Sequence, residues 1–205
     1  MTLMMKSCFV SLTILFLWRV EDGAEACSCF PKHPQKIFCE SDVVFRAIVI
    51  GRQEIGIDPM IKTVKYDVKV TQVFKGLTGN IDAVYTPYHS ATCGVTLDTD
   101  GGKQYLITGR LGDDGKVQIS LCDFIGLWDD LSAAQRLNLV QCYERGCGCT
   151  ITPCLSLPCM ISSTTECLWT DRVTGDTAQA KNYACLKSRD GSCSWYRGCT
   201  APQLG

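Results

Sequence analysis

Cysteine is the residue that most limits how this chain can fold. There are fifteen in 205 residues, unevenly placed. Seven fall between Cys27 and Cys147, and seven more crowd the last 58 positions. The remaining one, Cys8, lies in a segment that reads as a secretory signal. Lys6 supplies its positive start, and Cys8 to Trp18 is an apolar run of 11 residues. Ala24-Glu25-Ala26 then offers the small residues a signal peptidase requires. A membrane span needs about 20 apolar residues, and Arg19, Glu21 and Asp22 end this run too early. Cleavage after Ala26 removes Cys8 and leaves fourteen cysteines in 179 residues. An even, dense set is expected of a disulfide framework in an oxidising compartment. The expected localisation is therefore secreted, in the extracellular space or matrix.

The same cleavage takes two basic and three acidic residues, leaving 18 of each sign. A neutral balance excludes the basic excess of a nucleic-acid binder. Asn80, Asn138 and Asn182 all lack Ser or Thr two positions on, so no N-glycosylation sequon exists. No later stretch is long and apolar enough to span a bilayer.

The first two thirds read as strands. Val43 to Ile50 is an apolar, β-branched run ending at Gly51. Val64, Tyr66, Val68 and Val70 alternate with Lys65, Asp67 and Lys69, the period of a half-buried strand. Residues 81–86, 104–108 and 117–121 are further strands, with turns at Gly101-Gly102 and Asp113-Asp114-Gly115. Five or six short strands imply a small closed barrel or a sandwich. Pro34 suits the first turn of a short helix running to Cys39. Ser132-Ala-Ala-Gln135 is a capping box. Ala133, Leu137 and Val140 then share a face expected to pack on the barrel, and Gly146 serves as a stop. After Cys147 the chain is too short to bury a large core and relies on disulfides, each worth about 2–4 kcal/mol. A domain boundary is expected near residue 147.

Three chemistries are open to the cysteines. Structural zinc fits poorly: Cys27-x-Cys29 and Cys147-x-Cys149 are not the C-x₂-C pairs of a finger, and His33 and His89 are wrongly spaced. A cysteine nucleophile needs a free thiol beside a base. An even count leaves none free, so no enzymatic activity is expected. The third possibility uses the position of Cys27 rather than its sulfur. Processing would give it a free α-amine with a pKa near 8. That amine and the carbonyl oxygen of the same residue form a five-membered chelate. A catalytic zinc keeps one coordination position for water or substrate, and a rigid N,O terminus could occupy it. Disulfides at Cys27 and Cys29, with Pro31 and Pro34, would supply rigidity. On chemistry alone, a Cys27 that merely staples the chain end is an equal reading.

The residues resemble a known family, the tissue inhibitors of metalloproteinases. Cys27-Ser-Cys-x-Pro-x-His-Pro-Gln, Phe38-Cys39-x-Ser-Asp-Val-Val and Cys93-Gly-Val carry the likeness. Tyr105-Leu-Ile, Leu121-Cys-Asp-Phe-Ile and Trp128 extend it. Cys147-x-Cys149, Glu166-Cys-Leu-Trp169 and Asp190-Gly-Ser-Cys-x-Trp-Tyr-Arg-Gly198 continue it through the second half.

The resemblance implies a mainly β fold with helices. Residues 27–147 would form a netrin-like, OB-type five-stranded β-barrel, the inhibitory domain. Residues 148–205 would form a small disulfide-rich C-terminal subdomain. It implies a monomer that inhibits matrix metalloproteinases and related zinc endopeptidases, one-to-one, with a wedge of Cys27, Ser28, Cys29, Phe30 and Pro31, flanked by His89, Ser90, Ala91, Thr92 and Cys93. Cys27 would chelate the protease's zinc, which is the only metal involved, since the protein has no cofactor of its own. Ser28 would face the specificity pocket. Family pairing gives Cys27–Cys93, Cys29–Cys122, Cys39–Cys147, Cys149–Cys193, Cys154–Cys159 and Cys167–Cys185. Cys142 and Cys199 are left over. Each half then holds an odd number of cysteines, so a Cys142–Cys199 bridge between them is expected. Two departures from the pattern stand out. The tail ends at Ala201–Gly205, without the acidic extension through which some relatives contact a protease zymogen, and the Arg52–Ile61 segment is short. The alternative function is a netrin-like binding module for matrix or a growth factor, without inhibition.

Overall fold

The structure is a computed structural model, and it describes residues 27–57, 61–76 and 80–199. The secretory signal read in residues 1–26 and the tail from 200 onward lie outside the described residues. Helix α1 (Pro34–Glu40) comes first, followed by the long strands β1 (Val43–Ile55) and β2 (Thr63–Lys75). β3 (Ala83–Pro87), β4 (Gln104–Leu111), β5 (Val117–Gln118) and β6 (Gly126–Leu127) complete the first sheet. Strands β1, β2, β3, β5 and β4 hydrogen-bond in that order, and β4 pairs back onto β1. The sheet is thus a closed ring of five strands, an OB-like barrel, with β6 added on β4. Closure removes the open edges that would otherwise recruit another chain.

Alternation builds the barrel interior. Val43, Phe45, Ala47 and Val49 of β1 meet Val64, Tyr66 and Val68 of β2 inside, with Tyr105, Ile107, Val117 and Ile119. Three register shifts along the β1–β2 pair supply the bends that a small barrel needs. The expected alternation of β2 is present. The strands are longer than the sequence implied, because β1 runs through Gly51 to Ile55 and β2 continues to Lys75. Conversely, the 117–121 strand shortens to two residues, and the 81–86 strand begins at Ala83.

A second core lies outside the barrel wall. Val44 and Leu106 point outward and are covered by Phe38 of α1, by Trp128 and by Leu139 of α2 (Ala133–Gln141). Phe74 stacks on Trp128 at 5.7 Å, and the Arg46 guanidinium covers the same ring at 4.3 Å. The capping box of α2 is present: the Ser132 hydroxyl accepts from the Gln135 amide and the Gln135 side chain accepts from the Ser132 N–H. The face of this helix differs from expectation. Leu137 and Val140 are 42% and 59% exposed, while Gln135, Asn138 and Leu139 are buried. Gln135 has a tertiary use, since its side-chain amide donates to Ala180 O. The helix also ends at Gln141, before Gly146, which lies in a following 3₁₀ turn over Glu144–Gly146.

The described residues after Cys147 carry more strand than their composition implied. β7 (Thr150–Pro153) pairs with β8 (Glu166–Trp169) in parallel, and β9 (Ala184–Lys187) with β10 (Cys193–Tyr196) antiparallel. Short helices α3 (Asp171–Thr174) and α4 (Ala178–Asn182) lie between them. Their small core contains Ile151, Trp169 and the Cys167, Cys185 and Cys193 sulfurs. All fourteen cysteines from Cys27 onward are paired. The bridges are Cys27–Cys93, Cys29–Cys122, Cys39–Cys147, Cys142–Cys199, Cys149–Cys193, Cys154–Cys159 and Cys167–Cys185. Cys142–Cys199 closes a separation of 57 residues and fastens the end of α2 to the chain beyond β10.

Candidate functional site

The chain from Cys27 to Pro31 belongs to no helix or strand, and its burial alternates from Cys27 to Phe30. Cys27 and Cys29 are half-buried, whereas Ser28 and Phe30 are exposed, Phe30 at 56%. The two cysteines are turned toward their partners in the body of the protein, and Ser28 and Phe30 are left on the outside. Cys27 is bonded to Cys93 and Cys29 to Cys122, with Cα separations of 5.1 and 5.2 Å. All four sulfurs lie within 4.8 Å of one another. The segment is thus fixed at two alternate residues.

Beside it runs the loop that follows β3. His89 leads into a 3₁₀ turn over Ser90–Thr92, and Cys93 closes it with φ +65°, in the left-handed region. That conformation is uncommon for a residue with a Cβ. It is held by convergent hydrogen bonds: the amides of Thr92 and Gly94 and the Thr92 hydroxyl all donate to His89 O, and the Cys93 amide donates to Ser90 O. Gly94 is required here, because a Cβ would collide with Pro87 O and His89 O. Cys93 O in turn accepts from the Leu121 amide, which ties this loop to the Cys122 loop. His89, Ser90, Ala91 and Thr92 are all exposed. The structure therefore brings residues 27–31 and 89–93 together as one exposed ridge. The His89 ring stands edge-on to Tyr88 at 4.8 Å.

The base of the ridge is fastened from the second half of the chain. His33 is fully buried between Trp169, 5.8 Å away, and Trp195, 4.9 Å away. Its Nδ1 accepts the Gln35 amide and caps α1. Nε2 therefore carries the proton and donates to Gln179 O at 3.1 Å. Burial pushes the His33 pKa down to about 4, against the opposing pull of the Gln179 bond and the Asp171 charge. The buried Gln35 amide bonds both Cys185 N and Cys185 O at 2.7 Å. Sequence reasoning weighed His33 only as a metal ligand or base, and its fastening role has no local signal. A groove of about 850 Å³ separates the ridge from the second half, between Phe30 and Pro31 on one side and Leu155, Leu157 and Val173 on the other. Arg172 reaches across it to the Phe30 ring, 5.8 Å away.

Among the described residues, the two clusters with three or more ligand-type side chains are Cys27, Cys29, Cys93 and Cys122, and Cys149, Cys185 and Cys193. Every sulfur in both is in a disulfide. A cysteine holds a metal through its thiolate, which a disulfide sulfur does not offer.

Residues 25–195 match the family profile of the tissue inhibitor of metalloproteinase. The chain belongs to the tissue inhibitor of metalloproteinase family. Metalloproteinase inhibitor 2 of Cavia porcellus is 47% identical over 206 aligned positions, covering 97% of this chain and 94% of the relative. The Homo sapiens protein of the same name is 46% identical, covering 95% and 92%, and that of Gallus gallus is 46% identical, covering 94% and 90%. The family match spans the ridge and the second half as far as residue 195. The mainly β fold and the seven disulfides accord with this tissue inhibitor of metalloproteinase membership.

Proposed function

We propose that this protein is a secreted inhibitor of zinc metalloendopeptidases of the matrix metalloproteinase class, and that the ridge is its inhibitory surface. The observation that carries the reading is the double fastening of Cys27–Pro31 beside His89–Cys93. It leaves Ser28 and Phe30 outermost on a chain end that cannot fray. In this reading, processing after Ala26 makes Cys27 the first residue. Its amine and carbonyl oxygen then take the open position on the target's zinc and displace the water that would attack substrate. Ser28, two atoms of side chain on the same face, enters the mouth of the pocket beside the metal. The metal belongs to the target, and the inhibitor itself needs none. Because the ridge is already ordered, binding does not incur the cost of ordering a free terminus.

Residues 27–147 carry inhibition in this account, and residues 148–205 support the ridge through His33 and Gln35. The complex is one-to-one. N-terminal sequencing of the secreted protein, followed by active-site titration of a matrix metalloproteinase, tests the reading. A mature chain beginning at Cys27 that inhibits at a molar ratio near one is expected. A chain beginning elsewhere that still inhibits would refute it.

A further inference from the structure

The two disulfides that fasten the ridge also touch each other. Cys93 Sγ lies 3.9 Å from Cys122 Sγ, although each belongs to a different bridge. The four sulfurs fall within 4.8 Å of one another, and Cys122 is exposed while the other three are half-buried. Among the described residues, sulfurs of different bridges cluster in this way at one other place, Cys149, Cys185 and Cys193, where Cys185 and Cys193 are buried. The Cys39–Cys147 bridge has an exposed member too, Cys147, yet belongs to neither cluster. Exposure and a second disulfide in contact thus coincide only at the ridge.

Thiol–disulfide exchange needs an accessible sulfur for the first attack and a second disulfide within reach of the thiolate it releases. Both are present here. We propose that Cys27–Cys93 and Cys29–Cys122 form a thiol-exchange site, entered at Cys122 by a small external thiol, that rearranges the pairing to Cys29–Cys93 and Cys27–Cys122. The first step is attack of the external thiolate on Cys122 Sγ. A mixed disulfide forms there, and the Cys29–Cys122 bond breaks with its electron pair leaving on Cys29. The Cys29 thiolate attacks Cys93 Sγ, forming Cys29–Cys93 and expelling the Cys27 thiolate. Cys27 then attacks Cys122 of the mixed disulfide, forming Cys27–Cys122 and releasing the external thiol unchanged. Three bonds form and three break, no sulfur is oxidised or reduced overall, and the thiol acts as a catalyst. No sulfur starts more than 4.8 Å from its new partner, against the ~2.0 Å of the bond it makes. The chain therefore has little distance to cover.

The consequence for inhibition rests on the reading given under the previous heading. Cys27 exchanges its anchor in the 89–93 loop for one at Cys122, so its amine and carbonyl leave their alignment beside that loop. Exchange thereby disarms the ridge without unfolding the barrel.

The test needs no variant. The native protein is incubated with millimolar reduced glutathione near pH 8, blocked at that pH with excess iodoacetamide, acidified, and mapped by non-reducing peptide mass spectrometry over time. The expected first product is a glutathione adduct at Cys122. Peptides crosslinked Cys29–Cys93 and Cys27–Cys122 follow, before any label appears on Cys39 or Cys147. A fall in inhibition of at least tenfold should track the crossed peptides. Opening of Cys39–Cys147 first, or adducts at Cys122 with Cys27–Cys93 intact throughout, would overturn the exchange site. Should crossed peptides form while inhibition stays unchanged, the exchange site stands and the reading of Cys27 as the zinc-binding group falls.

Discussion

Replacing His33 with asparagine should remove an acid-sensitive part of this protein's stability. The imidazole is buried between two tryptophans, and its pKa is held at about 4 chiefly by that burial. In the unfolded chain it returns to about 6.5. The unfolded state therefore takes up the proton first as pH falls. Stability conferred by neutral His33 is complete above about pH 6.5 and is lost as pH descends toward about 4. Linkage gives a loss of roughly 2 kcal/mol at pH 5 relative to neutrality, and roughly 3 kcal/mol in all. Asparagine keeps a short acceptor for the Gln35 amide at the start of α1 but cannot titrate. Urea unfolding of both proteins at pH 7 and pH 5, with disulfides intact and tryptophan emission as the signal, measures the difference. Wild type should lose about 2 kcal/mol more than His33→Asn between the two conditions. Surface carboxylates such as Asp98, held low by its bond from Lys103, are common to both and cancel. Equal losses in the two proteins would refute the argument that His33 is buried in its neutral form.

Three other substitutions probe the ridge and its scaffold. Gly94→Ala forces a methyl against Pro87 O and His89 O, and should cost about 2 kcal/mol in thermal unfolding and weaken inhibition with it. Ser28→Gly should weaken inhibition across a panel of metalloproteinases, while a bulky residue there should reorder the panel; a uniform shift would count against Ser28 as a selectivity position. Ser132→Ala removes the α2 cap and its bond to Lys181 O, and should lower stability by about 1 kcal/mol in denaturant titration without changing the inhibition constant.

Different parts of this architecture were legible to different degrees. The barrel strands could be read because Val64, Tyr66 and Val68 alternate strictly with charged residues, and that alternation is what one buried sheet face demands. The capping box of α2 was equally local and equally readable. Its inward face was not, because Gln135 and Asn138 are buried while Leu137 and Val140 remain outside. Hydrophobicity alone assigns those four positions the wrong way round. The β1–β2 arm beyond Gly51 was missed for a related reason: residues 52–55 are exposed and paired only with one neighbour, so they carry no buried stripe. Within the ridge, spacing indicated an even set of cysteines but not who pairs with whom, and the partnership of residues 27–31 with 89–93 came from the family resemblance. The left-handed Cys93 is invisible to sequence because glycine, its usual marker, stands one position later. The fastening of the ridge through His33 to Gln179 and Gln35 to Cys185 spans 146 and 150 residues, beyond any local pattern.

The central claim is that the main-chain amine of Cys27, not its sulfur, is the inhibitory group. Adding one alanine before Cys27 leaves both ridge disulfides possible but converts the amine to an amide, whose lone pair is no longer available to a metal. Inhibition constants of the processed protein and of the Ala-extended form, measured against the same matrix metalloproteinase with disulfide pairing checked by peptide mapping, decide the matter. The account predicts that the extended form, correctly paired, inhibits at least a thousandfold more weakly. Equal inhibition by the two forms would contradict it.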